Sequence, residues 1–371
     1  MKFVVITHTP HFLTGEKYYA YGPYVREMNL WIQHTDSVTV VAPISDNDIS
    51  NIHLAYEHNQ LNIASIPSIS LISFFEIIKS IVYTPVIVHR IWKAMKSADH
   101  IHLRCPGNIG LLGSLVQVFF PKKKKTAKYA GNWKPGAKQP LSYRFQKWIL
   151  SNTFLTRKMQ VLVYGEWEGQ TKNVKPFFTA SYRSSKKEEV VVKRFVSPFQ
   201  FLFVGNLSPG KRPLYVIQLI EKLLEEGISS YLDIYGDGVE KSNLETYISE
   251  NGLSEKVLLH GNQKQKTIEE AYKKSHFLVL PSRSEGWPKV VAEAMFWNVI
   301  PIVSKVSCVP WMLAQGERGI LLEMDIEKDI RSIRSLSETN NEGITDMADK
   351  GRQWSQQYTL DSFENEIKQL I

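Results

Sequence analysis

Cysteine is almost absent: the 371 residues hold two, Cys105 and Cys308. One pair closes at most one bridge, so a disulfide-stapled scaffold is excluded, and neither residue stands at metal-ligand spacing. A reduced, cytoplasmic setting is the expectation. Long apolar runs are lacking too. No window offers about 18 uncharged apolar residues, so no membrane-spanning helix is expected. The greasiest stretch, 69–92, is broken by Glu76, Lys79, Pro85, His89 and Arg90. The first ten residues form a short apolar run ending in a turn, and no signal peptide is expected. There is no internal repeat, and no low-complexity tract beyond Lys122–Lys125. Zinc-finger spacing and aromatic nucleic-acid motifs are missing as well, so nucleic acid is not an expected partner.

What is present points to two globular domains. The length exceeds what one ordinary core organises, and 43% hydrophobic residues suit a folded chain. The net charge of +8 is unevenly spread: residues 1–195 carry 26 Lys and Arg against 12 Asp and Glu, and the remainder 19 against 25. Opposite charge in the two halves implies different partners. Short β-branched runs at 2–6, 37–41, 61–66, 100–103, 126–130 and 160–164 alternate with helical stretches at 24–33, 70–97, 109–120 and 141–153. After a polar segment at 180–195, read as a linker, strands at 199–204, 231–235, 256–260, 277–280 and 300–303 alternate with helices again. The alternation predicts an α/β protein with two doubly wound, Rossmann-like domains facing a cleft, spanning 1–190 and 191–355. A last helix over 356–371 is expected to pack back on the first domain.

The segment from Pro281 to Val303 carries the most chemistry. It reads as a strand end, a short loop, a helix opened by Pro288 and another strand. Glu285 in the loop and Glu293 in the helix are separated by seven residues. Backbone N–H groups from Gly286 to Val290 lie at a helix start, where unsatisfied donors and the helix dipole favour a diphosphate. In this pattern the chain resembles the family 4 glycosyltransferases of the GT-B fold, whose signature is E-x7-E after a PS-x-x-EG loop. The resemblance implies that Glu285 contacts donor-sugar hydroxyls and acts in catalysis. It likewise implies that Glu293 holds the ribose, and that Gly286, Trp287, Pro288, Lys289 and Val290 surround the phosphates. Lys289, at the helix start, would suit an acidic sugar.

Two further loops match the family. From Phe201 to Pro213 the family carries an arginine and a lysine that grip the diphosphate. Gly205 and Lys211 fit, Lys211 taking a catalytic part, but Asn206 stands on the arginine position, and Arg212 is the candidate to compensate. Gly236, Asp237 and Gly238 match a G-D-G-x-E turn near the base, and His260 and Gly261 the loop lining its pocket. In the first half the resemblance is looser. A longer aromatic segment, His8 to Tyr24, replaces the family's glycine-rich loop, with Gly15 and Gly22 as candidates for backbone approach to the acceptor. The family histidine near the reacting centre is missing from Lys128–Trp133. His102, as a catalytic group, and Arg104 are the candidates to replace it, a structural strand-end histidine being the alternative. The run Asp46-Asn47-Asp48 looks like a metal-binding triplet but lies in a polar loop outside the donor site, and reads as solvated.

The expected activity is therefore transfer of a sugar, with retention, from a nucleoside diphosphate sugar to a hydroxyl. The donor is a UDP-sugar first and a GDP-sugar second. The acceptor is a glycan or a polyprenyl-diphosphate-linked glycan in bacterial surface polysaccharide synthesis. No metal or other cofactor is expected. The alternatives are a non-catalytic nucleotide-sugar-binding protein and a GT-B sugar-nucleotide epimerase or hydrolase. Lys122–Lys125 and the 69–92 stretch add an anionic membrane surface as a partner, placing the protein peripherally at the inner face of the cell membrane; a solvated loop and buried helices are the other reading.

Overall fold

The structure, a computed structural model, describes residues 1–45, 47–50, 52–70, 73–190, 193–338 and 341–371. Asp46 of the acidic triplet lies outside them. The chain forms two compact units: residues 1–178 with 364–371, and residues 179–363. The polar segment 180–195 thus belongs to the second unit, where 184–189 form a 3-10 turn.

The first unit holds strands β1 (Lys2–Ile6), β2 (His11–Thr14), β3 (Lys17–Tyr21), β4 (Ser37–Pro43), β5 (His53–Ala55), β6 (Leu61–Ile66), β7 (His100–Cys105), β8 (Lys124–Tyr129), β9 (Met159–Tyr164) and β10 (Val174–Phe177). Its helices are α1 (Gly22–Ile32), α2 (Phe74–Ser97), α3 (Asn108–Val116) and α4 (Leu141–Ser151). Seven strands make a parallel sheet in the order β10-β9-β8-β7-β1-β4-β6. Its direction of winding reverses between β1 and β7. Strand alternation divides the core. Val4, Ile6, Ile101 and Leu103 face a cluster with Ile87 and Ile91 of α2 and Ile109 of α3, whereas Phe3 and His102 face Trp31 of α1. Both faces are covered, which is why β1 reads as a nearly continuous apolar run, while β7 alternates apolar residues with His100, His102 and Arg104.

The second unit repeats the plan. Its strands are β11 (Phe199–Val204), β12 (Ser230–Tyr235), β13 (Val257–Gly261), β14 (Phe277–Leu280), β15 (Ile300–Ser304) and β16 (Ile320–Leu322). They form a parallel sheet in the order β13-β12-β11-β14-β15-β16. The helices between and after them are α5 (Pro213–Glu225), α6 (Lys241–Glu250), α7 (Gln265–Lys274), α8 (Lys289–Phe296), α9 (Val309–Met312), α10 (Ile326–Glu338), α11 (Asn341–Ser355) and α12 (Leu360–Leu370). From Glu364 onward, α12 counts with the first unit, where Glu366 meets Lys175 of β10 at 2.8 Å.

Three readings need correction. The segment His8 to Tyr24 is not a long loop. β2 and β3 pair antiparallel, with β5 beside β3, and Gly15 sits in the two-residue turn at φ +60°. A two-residue hairpin turn of this kind favours glycine at that position, so the turn itself accounts for Gly15. The lysine run is not one solvated patch. Lys125 is buried on β8 and donates to the carbonyls of Gln117 and Phe120 at 3.3 and 3.1 Å, and burial lowers its ammonium to about 8. Finally, no described helix is long and apolar enough to cross a membrane, but much of the 69–92 stretch is an exposed helix, not a buried one.

Candidate functional site

In an open α/β sheet ligands gather beyond the carboxyl ends of strands, where the winding reverses. In the second unit that point lies between β11 and β14, and the loops leaving these strands carry Lys211 and Glu285. Lys211 Nζ donates to Glu285 Oε1 at 2.5 Å, with the carboxylate side chain 9% exposed and the lysine 28%. The backbone locks the two loops together, because Arg283 N–H donates to Gly210 C=O at 2.8 Å. Glu285 is thus set one residue before Gly286, whose carbonyl accepts from Ser307 Oγ at 3.3 Å and Cys308 Sγ at 3.1 Å. Burial pushes the Cys308 thiol up to about 12, so it stays a neutral donor.

Helix α8 begins at Lys289, directly after Pro288. Its first N–H groups therefore point back along the loop that carries Glu285. Trp287 holds the loop from behind: it is buried, its ring 6.0 Å from Trp354 and 5.6 Å from Tyr358. Sequence reasoning named Trp287 but not this aromatic wall, whose other members come from α11 and the turn after it.

Glu293 sits one turn into α8. Its carboxylate accepts from the hydroxyls of Ser181 and Tyr272, the latter at 3.1 Å. Burial and this nearby charge hold the Tyr272 hydroxyl well above its ordinary range, so it remains a donor. A carboxylate has about four acceptor positions, so these two hydroxyls leave it acceptor capacity to spare. Ser181 and Tyr272 were not legible as site residues, since only the fold brings them to Glu293.

The glycine turn after β12 is a packing device. A Cβ on Gly236 would lie 1.8 Å from Gly205 O, and one on Gly238 would lie 2.4 Å from Leu207 O. Gly205 N–H donates to Tyr235 C=O and Leu207 N–H to Asp237 C=O, both at 2.9 Å, while Gly236 N–H donates to Gly261 C=O at 2.9 Å. The loops after β11, β12 and β13 are thereby zipped side by side. His260, near the end of β13, is fixed by Asp233 Oδ1 at 2.5 Å and stacks on Tyr235 with ring centroids 4.5 Å apart. Asp233 in turn accepts from Gln200 at 2.7 Å. A flat ring pair held this way is a stacking surface suited to a base. Asn206 is exposed, and Arg212 precedes α5 in a left-handed conformation, φ +53°.

The first unit places its candidates differently. His102 is wholly buried, with Nδ1 2.8 Å from Thr126 Oγ1 and its ring 4.4 Å from that of Trp31. Burial, helped by the Arg104 charge, holds its pKa well below the usual histidine range. A neutral imidazole inside the core touches no substrate, so the catalytic part expected of His102 is withdrawn. Arg104 pairs with Glu27 of α1, which also holds the buried Lys128 at 3.0 Å. Gly22 opens α1 where a Cβ would lie 2.9 Å from Ile52 O, a close-packing role. Beyond the carboxyl ends of β1, β4, β6 and β7 lies a cavity of about 240 Å³, lined by His8, Pro43, Ser68, Ile69, Asn108 and Tyr143 among others. Nothing in the sequence marked it, because its lining comes from five separate loops and helix starts. Among the described residues no group of three or more His, Cys, Asp or Glu side chains is placed to share a metal ion.

Comparison with known proteins bears on both units. Residues 184–354 match the model of the glycosyl transferases group 1 family. An Escherichia coli protein named UDP-Gal:alpha-D-GlcNAc-diphosphoundecaprenol alpha-1,3-galactosyltransferase is 30% identical over 166 residues, 43% of this chain and 42% of that protein. A GDP-mannose:cellobiosyl-diphosphopolyprenol alpha-mannosyltransferase of Xanthomonas oryzae is 27% identical over 139 residues, 37% of each. The chain thus spans about two fifths of the length of these curated relatives. Among solved structures, Anabaena HepE in complex with UDP and glucose superposes with a TM-score of 0.67 at 13% identity, over 100% of this chain and 98% of that one. The fold is therefore GT-B, and residues 184–354, in its second unit, match the glycosyl transferases group 1 model.

Proposed function

We propose that the protein is a retaining glycosyltransferase that moves a sugar from a nucleoside diphosphate sugar, a UDP-sugar first and a GDP-sugar second, to a hydroxyl of a glycan or lipid-linked glycan. Bacterial surface polysaccharide assembly is the proposed setting. The observation that carries the reading is the Lys211–Glu285 pair at the reversal point of the second sheet, beside the α8 N-terminus. Names of relatives that use UDP-Gal and GDP-mannose on diphosphopolyprenol acceptors support the donor and acceptor classes.

Lys211 and the α8 amides hold the diphosphate, Glu285 the sugar hydroxyls, Glu293 the ribose, and the Tyr235–His260 face the base. Asp237 flanks that face from the neighbouring turn. In the reaction the bond from the anomeric carbon to the diphosphate oxygen breaks. The acceptor oxygen bonds to that carbon on the same face, and its proton passes to the leaving diphosphate. No protein nucleophile or metal is required. The protein positions reactants and stabilises the charge that builds on the diphosphate. On donor binding, Lys211 exchanges its contact with Glu285 for the phosphates, freeing the carboxylate to accept from sugar hydroxyls.

The test is nucleoside diphosphate release from UDP- and GDP-sugars with and without a diphosphopolyprenol-linked sugar acceptor. The reading predicts acceptor-dependent release that falls about a hundredfold to a thousandfold in Glu285→Gln, the scale of losing one preorganised hydrogen-bonding group at the reacting centre. Release that needs no acceptor would favour the epimerase or hydrolase alternative, and no release from any donor would favour a binding protein.

A further inference from the structure

We propose that the face of the first unit built by α2, α3 and α4 docks on an anionic lipid bilayer. The proposal deepens the lipid-linked acceptor reading and rests on it for its purpose, though the surface features stand by themselves.

From Phe74 to Val86, α2 is apolar on nearly every side and yet uncovered: Phe74 is 71% exposed, Phe75 80%, Ile81 66% and Val82 64%. A helix apolar all round belongs in a core or in a membrane, and this half of α2 has no core around it. Its second half is anchored through Ile87, Ile91 and Met95, and the first half touches the unit through Tyr83 and through buried Ser80, whose hydroxyl donates to Ser70 C=O at 2.8 Å. The face continues laterally. Trp92 of α2 lies 5.3 Å from Phe119 and 4.9 Å from Phe120, just after α3, and α3 packs between α2 and α4. Helix α4 exposes Leu141 at 77%, and its Phe145 and Trp148 rings stack 5.8 Å apart in the open. Scattered exposed leucines mean little, but a contiguous apolar face of this extent marks a binding surface.

Charge identifies the occupant. Residues 77–165 hold 16 Lys and Arg and a single acid, Asp99; Lys125 and Lys128 are buried and Arg104 pairs with Glu27, which leaves 13 of these cations outside the core. The partner must be both apolar and negative. A second copy of the same face would set like charges together, whereas an anionic bilayer supplies hydrocarbon for the aromatic and aliphatic side chains and phosphates for the rim. Cations sit over aromatic rings at this rim, Arg157 over Phe154 at 4.7 Å and Lys123 over Phe120 at 5.9 Å, the pairing of groups that settles at headgroup depth. The 240 Å³ cavity opens beside the face: Ile69 leads into α2, and Tyr143 lies in the first turn of α4 next to exposed Leu141. A sugar on a membrane-held diphosphate carrier would meet the protein there.

The experiment is flotation of the full chain with phosphatidylcholine vesicles, with and without phosphatidylglycerol, at low and high salt. Nucleotide-induced thermal stabilisation is measured on every variant as a check of fold. The expected result is capture by the anionic vesicles, weakened by salt and by removal of phosphatidylglycerol. Substituting Phe74, Phe75, Ile78 and Ile81 by Ser abolishes capture at either salt. Exchanging exposed Lys93, Lys122, Lys138 and Arg144 for Gln weakens it by about fivefold per charge. Nucleotide stabilisation stays as in wild type in both variants. A chain that ignores anionic vesicles at low salt while still being stabilised by nucleotide overturns the docking proposal and leaves the transfer reading intact. A concentration-dependent dimer removed by the same serine substitutions, without vesicle capture, also overturns it. Capture without stabilisation by any nucleotide supports docking and counts against the transfer reading alone.

Discussion

The two units share one architecture and present opposite surfaces. Among the described residues, twenty large apolar side chains are exposed on the first unit and four on the second. The first carries 22 Lys and Arg against 12 Asp and Glu, the second 23 against 25. The same doubly wound sheet thus supports a greasy, basic body and a near-neutral, well-covered one. The first buries cations and histidines on its central strands β7 and β8, while the second spends its loops on a zipped turn system after β11, β12 and β13 and on the Lys211–Glu285 pair. Fold alone does not assign the work; the side chains at the strand ends and on the helix faces do.

The difference can be broken at either end. The largest effect on the first unit is expected from Glu27→Gln, which leaves Arg104 and the buried Lys128 without their shared carboxylate. Breaking a buried ion cluster from one side costs about 3–5 kcal/mol. Amide hydrogen exchange should show peptides of residues 1–178 opening while those of 199–304 keep their protection. Equal loosening of both units would mean that they do not respond separately.

On the second unit, Gly236→Ala forces a Cβ to within 1.8 Å of Gly205 O, so the β11 and β12 loops must part. The expected cost is about 3 kcal/mol, with the melting temperature falling by roughly 2–4 °C per kcal/mol for a unit of this size. Nucleotide binding should weaken with it, and vesicle capture should not. A Gly236→Ala protein with unchanged melting would show that the turn has slack the geometry denies.

The smallest difference is in acid response. Burial lowers His11 and His100 of the first unit to about 4, and His8 and His102 are lowered too, whereas in the second unit burial lowers His276. Unfolded histidine titrates near 6.5, so as pH falls the unfolded chain binds protons first. Stability from these groups is complete above about 6.5 and is lost progressively toward 4. Hydrogen exchange at stepped pH should show the first unit weakening ahead of the second, and the reverse order would contradict the assignment.

The loops proposed to hold the donor were readable because each is a short local pattern between a strand and a helix. The strands at 199–204 and 277–280 stand as expected, and turn chemistry fixes the segments between. Less local features were not readable. The β2–β3 hairpin hides in a segment whose glycines suggested a loop, although Gly15 followed by one residue between alternating strands is a hairpin signal. His102 looked like a strand-end group, but β7 is a central parallel strand buried on both faces, so a histidine there lies inside whichever way it points. Ser181 and Tyr272 reach Glu293 from 112 and 21 residues away, from outside the motif that carries it. The segment from 305 to 355, with α9, β16, α10 and α11, carries no motif, and its elements gained no reading in advance.

The central claim is that the second unit holds a nucleoside diphosphate sugar with Glu293 on the ribose. Its most direct test is thermal stabilisation by UDP, GDP, ADP, dTDP and CMP, on wild type and on Glu293→Ala. At 100 times its Kd, a ligand adds roughly 2.7 kcal/mol of apparent stability. The account predicts that one nucleoside diphosphate, UDP before GDP, stabilises the wild type and that the gain disappears in Glu293→Ala. If no nucleotide stabilises the wild type, or if the variant responds as the wild type does, the account is contradicted.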